Sequence, residues 1–413
     1  YWPHRRDDAA QVTFLVNIAA GVTWCVITLA AAPSIASFFH TPSGAPMMRA
    51  IALSFILKYL GNTHDALSQK DLRFRARFIP ELSLALVKAA VSIGLALAGF
   101  GAWSLVWGHI AGVGIRTILL WLVVDWRPRL GIPRDLLKPM LAYGRGIIAV
   151  NVLAAITHHA DLAVVGRMLG TTALGLYQLA SRIPETTIVV LLSVVSSVLF
   201  PAFSRMHAGG ASLREPYLEV TRTLAAAIFP LAAGLILLAR PLILLFLGER
   251  WLGAVPILQA LTACAAVRAL GTHAGDLLKA TGRPRLLARL AIVKAAIVLP
   301  ALLFGARFGA AGVARALAIA AALGTAITLA AAARAVRLRL ASILGASLPG
   351  IAGAAIMSVP LLAWMWWSAA RLAPLVQLLG GTALGATVFA GALLLLDREL
   401  VRAMRDFFLP RLA

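Results

Sequence analysis

Nine cationic side chains fall inside stretches that are otherwise apolar: Lys58, Lys88, Arg116, Arg145, Arg182, Arg240, Arg268, Lys294 and Arg315. Their chemistry is the binding of anions. A guanidinium donates through a planar fork that matches phosphate, and an ammonium acts as a compact point charge. A cation at the centre of a membrane-spanning helix costs about 2.5–3.5 kcal/mol, so each must face a cavity, a partner or the interface. Lys58, Arg240 and Arg268 lie within about two turns of expected helix ends and can snorkel outward. The remaining Arg145, Arg182, Lys88, Lys294, Arg116 and Arg315 are the candidates for a cationic cavity.

Carboxylates inside such stretches are fewer, with Asp161 and Glu185 the clearest and Glu81 and Glu219 near helix ends. Two readings stay open for Asp161 and Glu185. One of them binds a proton or sodium ion, or they neutralise a buried arginine as ion pairs. Asp161 and Arg182 are expected at similar depth and could pair, while Arg182 and Glu185, three residues apart, share one helix face. His158 and His159 are neighbours, and adjacent side chains point about 100° apart on a helix, which suits no single metal ion. Cys25 and Cys264 offer neither a disulfide framework nor metal-ligand spacing. No phosphate-cradling glycine loop of the P-loop type occurs, so neither a metal, a cofactor nor direct use of ATP is expected.

These side chains must be positioned by helices. Apolar stretches recur near 12–32, 46–66, 79–99, 102–124, 139–168, 173–200, 217–245, 254–275, 286–305, 310–333, 345–368 and 376–396. Each is long enough to cross roughly 30 Å of hydrocarbon. The basic residues between them alternate: 24 lie in one set of gaps and five in the other. By the positive-inside rule both visible ends face the cytoplasm. Hydrophobic residues make up 61% of the chain and the mean hydropathy is +0.89, well above a soluble domain. The net charge of +22 therefore belongs beside membrane spans, where it meets anionic headgroups, and no nucleic-acid partner is expected. Trp364, Trp366 and Trp367 fit an outer interfacial belt. Apolar stretches continue after the first one, which excludes a cleavable signal peptide reading. The chain begins at Tyr1 rather than Met, which points to an incomplete N-terminus.

The chain also repeats itself. Leu86-Val87-Lys88-Ala89-Ala90-Val91 and the later Phe100-Gly101-Ala102 match Ile292-Val293-Lys294-Ala295-Ala296-Ile297 and Phe308-Gly309-Ala310. Upstream, Thr63-His64 with Asp65 and Lys70 matches Thr272-His273 with Asp276 and Lys279. The offset is 206 at the lysines, 208 at Phe-Gly-Ala and 209 at Thr-His. The matched spans are the third and ninth, an even shift, so the copies share orientation about an axis along the membrane normal. Completing the repeat requires two helices before Tyr1. The fold class expected is therefore an all-α polytopic membrane protein, with about 12 transmembrane helices present of an inferred 14. Its parts would be an N-terminal lobe at 1–124, a cytoplasmic linker at 125–138, a second lobe at 139–343, and two further helices with a tail at 344–413.

Six plus six plus two helices resembles the multidrug/oligosaccharidyl-lipid/polysaccharide exporter superfamily. Several stretches resemble its polysaccharide branch, the Wzx-type flippases: Gln69-Lys70-Asp71-Leu72-Arg73-Phe74, Gly166-Arg167-Met168-Leu169-Gly170 leading to Gly175-Leu176-Tyr177, and Phe200-Pro201-Ala202-Phe203-Ser204-Arg205. Leu247-Gly248-Glu249-Arg250-Trp251 and Ala280-Thr281-Gly282-Arg283-Pro284 continue the pattern, which covers roughly residues 10–340. The resemblance implies a substrate with an undecaprenyl tail, a pyrophosphate and a short glycan, carried across a bacterial inner membrane for extracellular polysaccharide or lipopolysaccharide synthesis. Membrane lipids and other polysaccharide-assembly proteins are the further partners it implies. In that family the pair of helices bearing Arg145 and Arg182 faces the central cleft.

Physical chemistry agrees with such a cargo. Desolvating two phosphate charges and many hydroxyls in hydrocarbon is prohibitive, so a carrier must offer a hydrated cationic path. A multidrug or organic-cation antiporter on the same fold is the alternative, but its cavity should be acidic and aromatic. A membrane glycosyltransferase, polymerase or ligase needs a sizeable extracytoplasmic loop, and every such gap is under about ten residues. The expectation is an alternating-access transporter and not an enzyme.

Overall fold

The computed structural model describes residues 6–70, 74–129, 131 and 134–399, the side chains of 6, 74–76, 134, 141–158, 194, 197, 200 and 284 excepted. Its elements are α1 (Arg6–Phe38), α2 (Gly44–Lys70), α3 (Phe74–Leu97), α4 (Trp103–Val123), α5 (Arg134–Pro184) and α6 (Val190–Ala208). They continue with α7 (Arg214–Leu237), α8 (Ala239–Phe246), α9 (Val255–Ala280), α10 (Pro284–Ala306), α11 (Gly309–Ala335), α12 (Leu340–Ser368) and α13 (Pro374–Leu396). No strand occurs among the described residues. Nine of their helices are long and apolar enough to cross a membrane. This is a multi-pass, all-α membrane protein. The chain divides into two compact units, Tyr1–Ile156 and Thr157–Ala413.

Within the first unit α1 packs on α2, and α4 packs on both α2 and α3, which barely touch each other. Small residues permit the closest of these approaches. A side chain added at Gly108 would fall 1.9 Å from the Ser92 hydroxyl, and one at Gly112 3.0 Å from the Lys88 Cβ. Gly108 and Gly112 are four residues apart, the spacing that lets membrane helices meet backbone to backbone. The second unit repeats the arrangement: α11 packs on both α9 and α10, which scarcely meet, and α7 packs on α9. Here Gly305 and Gly312 make the close approach between α10 and α11. The last two helices add to α7 and α8, with Gly350 of α12 set against the Ala225 backbone of α7. Arg222 of α7 also grips the buried Asp397 that ends α13.

One agreement with the sequence reading and two departures from it have local causes. Gly170 interrupts α5 with φ 83° and ψ 178°, a conformation only glycine adopts readily. One helix therefore ends at 169 and another starts at 171, as the expected gap between 168 and 173 requires. The stretch near 217–245 is split at Leu238, because Pro241 in the first turn of α8 has no N–H to continue the ladder. Finally, α2 runs on to Lys70 and α9 to Ala280, several residues beyond the expected ends. That extension moves Lys58 and Arg268 to the middle of their helices, 12 residues from either C-terminal end, or about 18 Å. Each therefore lies more than three turns from the C-terminal end of its helix.

Candidate functional site

The two units carry one motif twice. In the first, the Thr117 hydroxyl of α4 donates to the Leu57 carbonyl of α2 at 2.8 Å, across the small residue Gly61. In the second, Thr325 of α11 donates to the Val267 carbonyl of α9 at 3.3 Å, across Gly271. The offset is 208 for the threonines and 210 for the residues on α2 and α9. Packing thus shifts the α2–α9 register by one residue from the Thr-His match. Thr63 meets Asn17 of α1 at 3.1 Å, and its packing counterpart His273 meets Thr221 of α7 at 2.9 Å.

The next residue after each accepting carbonyl is a cation: Lys58 in one unit, Arg268 in the other. Lys58 and Lys88 both act electrostatically on His109 of α4, and Arg268 acts on Lys294 of α10. Lys58, Lys88 and Arg268 are exposed on their units, and Lys294 is half-buried. None of the four forms an ion pair with a described carboxylate. Like charges collected at mid-helix without a counter-ion are costly in a membrane unless they meet water or an anion. Lys88 and Lys294 are not strict equivalents. Lys88 lies against Gly112, whereas Lys294 lies against Gly324, one turn beyond the counterpart Ala320. The signal for Lys58 and Arg268 was present in the sequence as a 210-residue offset, masked by helix ends placed too early.

The other expected residues divide. Arg116 has its side chain 12% exposed and is held by Asp65 at 3.2 Å and Glu81 at 2.6 Å. Arg77 takes the other Asp65 oxygen at 3.0 Å, so this network ties α2, α3 and α4 together. At the 208 offset the counterpart of Arg116 is Gly324, and no such network occurs among the described residues of the second unit. Arg315 is exposed on α11 and pairs with no described carboxylate. The side chains of Arg145 and His158 lie outside the described ones.

Arg182, 70% exposed, reaches Glu185 at 3.9 Å. It borders an apolar cavity of about 530 Å³ with Gln178, Leu242 and Phe246. The expected Asp161–Arg182 pair does not form. Asp161 instead accepts the Tyr177 hydroxyl at 2.9 Å, and Arg182, five residues on, points about 140° away round the helix.

Asp161 and Glu185 do share a cavity. It measures about 410 Å³ and is also lined by His159, Ser181, Ser193, Arg268, Thr272, Asp276 and Lys279. Glu185 opens a π-helical turn, Glu185–Val189, directly after Pro184. Such turns re-aim side chains and recur at functional sites. No group of three metal-binding side chains occurs among the described residues.

The polysaccharide biosynthesis protein family matches residues 4–256. The chain is 29% identical over 289 residues to the teichuronic acid biosynthesis protein TuaB of Bacillus subtilis, covering 68% of this chain and 59% of TuaB. It is 25% identical over 303 residues to the lipopolysaccharide biosynthesis protein WzxC of Escherichia coli, covering 73% of this chain and 62% of WzxC. The succinoglycan biosynthesis transport protein ExoT of Rhizobium meliloti is 24% identical over 414 residues, covering 98% of this chain and 82% of ExoT. The chain thus spans about six tenths of the length of TuaB and WzxC. Its fold is that of the lipid II flippase MurJ in an inward closed conformation, with a TM-score of 0.77, 17% identity, and coverage of 96% of this chain and 85% of MurJ. Membership follows from the match across more than half of the sequence: the chain belongs to the polysaccharide biosynthesis protein family.

Proposed function

We propose that this protein flips undecaprenyl-pyrophosphate-linked oligosaccharide units across the bacterial inner membrane by alternating access, with both visible termini cytoplasmic. The observation that carries this is the equivalent placing of Lys58 and Arg268, each at mid-helix beside a threonine-capped carbonyl, exposed on its unit and paired with no described carboxylate. A pyrophosphate head supplies the counter-charge that the described carboxylates do not. The names of TuaB, WzxC and ExoT support a polysaccharide setting, and the MurJ fold supports a lipid-linked cargo.

Arg182 and Arg145 add cationic contacts from the helices on either side of Gly170, and Arg315 adds one from α11. Arg116 has a different role in this reading. With two carboxylates on it, it braces three helices and leaves the anion to its neighbours. The lobes are 1–124 and 139–343, and they rock about 125–138. The work is transport, with no bond made or broken. A multidrug antiporter reads less well, because an organic cation would be repelled by Lys58 and Arg268, which pair with no described carboxylate.

The test is a flipping assay on full-length protein in liposomes with a fluorescent prenyl-pyrophosphoryl oligosaccharide. Arg182→Ala and the double variant Lys58→Gln with Arg268→Gln should slow translocation, while an organic cation is not moved. Efflux of the cation without movement of the lipid would leave only the antiporter.

A further inference from the structure

One face of α10 combines charge with exposed apolar surface. Arg285, Arg289, Ile292, Ala296, Leu299 and Leu303 follow at alternating steps of four and three, which keeps them within about 80° of the helix circumference. All are exposed, Ile292 by 64%, Leu299 by 47% and Leu303 by 53%. The other side of α10 carries the buried Leu290, Leu302 and Ala306, and Gly305 there meets Gly312 of α11. Two arginines thus head a stripe that is otherwise apolar. From Ile292 to Leu303 the stripe runs about 16 Å, the depth of one leaflet in a bilayer whose hydrocarbon core is about 30 Å thick.

The protein provides poorly for the cationic end. Arg285 and Arg289 lie in the first two turns of α10, where the positive end of the helix dipole disfavours cations. No acidic residue occupies the first turn, and no side chain caps it. Neither arginine forms an ion pair with a described carboxylate. Asp276, the nearest carboxylate along the chain, is engaged by Lys279 at 3.0 Å. The first unit is an internal control. At the 206 offset of the lysines, α3 repeats the apolar part as Leu86, Ala90, Ile93 and Leu97, all exposed, but carries Ile79 and Ser83 in place of the arginines. An exposed apolar stripe at this place in the repeat therefore needs no arginine pair, and the pair on α10 calls for a reason of its own.

We infer that Arg285 and Arg289 hold one anionic phospholipid, with its phosphate on the two guanidinium groups and its acyl chains along Ile292–Leu303. The guanidinium fork matches phosphate oxygens. The negative headgroup also supplies the anion that the start of α10 lacks. In the proposed orientation this lipid belongs to the cytoplasmic leaflet, whose anionic headgroups attract basic segments beside membrane spans. The site is separate from the cations offered to cargo, because Lys294, two residues after Ile292, points about 160° away round the helix. It therefore stands whether or not the protein moves a lipid-linked glycan.

The test is native mass spectrometry of the full-length protein in detergent, titrated with phosphatidylglycerol or with phosphatidylethanolamine of the same acyl chains. One phosphatidylglycerol should be retained in preference to phosphatidylethanolamine. Arg285→Gln with Arg289→Gln should weaken that retention about tenfold or more. Arg205→Gln with Arg334→Gln, which removes two exposed charges near the ends of α6 and α11, should leave it intact. Phosphatidylglycerol should also raise the melting temperature of the wild type and not that of the Arg285→Gln, Arg289→Gln protein. Equal losses in the two double variants would reduce the site to a diffuse basic surface and overturn it, as would equal retention of the two phospholipids. Tighter capture of a prenyl-pyrophosphoryl lipid through the same arginines would overturn the phospholipid assignment and give this face to the cargo.

Discussion

Lys58 and Arg268 occupy one place in the fold, 210 residues apart. Each directly follows a carbonyl, Leu57 or Val267, that accepts a threonine hydroxyl from the neighbouring helix. The hydroxyl marks the register of the helix pair, and that register places the cation at mid-helix. Substituting either cation should therefore impair transport without unfolding the protein. Lys58→Gln and Arg268→Gln should each slow flipping by about ten- to a hundredfold, the equivalent of losing one charge-assisted contact of about 1.5–3 kcal/mol. Lys58→Arg and Arg268→Lys should retain most of the rate. Equal losses in the charge-keeping and charge-removing variants would show that packing, not charge, matters there.

The threonines themselves should matter little to stability, because interhelical hydrogen bonds in membranes average about 0.6 kcal/mol. Thr117→Val and Thr325→Val should shift the melting temperature in detergent only slightly. Gly350→Leu should shift it far more. Even a Cβ there would sit 2.5 Å from the Ala225 backbone, which cannot yield as a flexible side chain would. A small effect at Gly350 would mean that α12 can leave α7 without cost.

Arg116 offers a charge-balance test. Replacing it with methionine leaves Glu81 without its cation and Asp65 with Arg77 alone. Breaking a buried pair in this way costs about 3–5 kcal/mol, and less here because Glu81 is 46% exposed. Adding Asp65→Asn and Glu81→Gln to Arg116→Met should recover much of the loss. Thermal unfolding of the single and triple variants checks this, and additive losses would argue against the network.

Gly170 should be intolerant for a backbone reason. Its φ of 83° with ψ of 178° costs other residues about 1–3 kcal/mol. Gly170→Ala should lower the yield of folded protein and its melting temperature, whereas Gly175→Ala, with open space around it, should do neither. Equal tolerance at both sites would mean that the helix break moves freely along the chain.

Composition and charge alone set the class of this molecule. Apolar runs of about twenty residues have no soluble fate, and basic residues in alternate gaps orient them in a bilayer. The repeat was visible too, since Phe-Gly-Ala and the lysines recur at nearly constant spacing. Motif resemblance reached the family. What the sequence could not set was the rotation of each helix. Every residue turns the side chain by about 100°, so a one-residue change of register decides which neighbour a charge meets. Tertiary packing gave Arg116 to Asp65 and Glu81, gave Asp161 to Tyr177, and left Lys58 and Arg268 without carboxylates. It also turned Asp276 into a cavity while Asp65 was neutralised. Helix identity is local and follows from apolar length, whereas the partner of a buried charge depends on contacts between segments far apart in the chain.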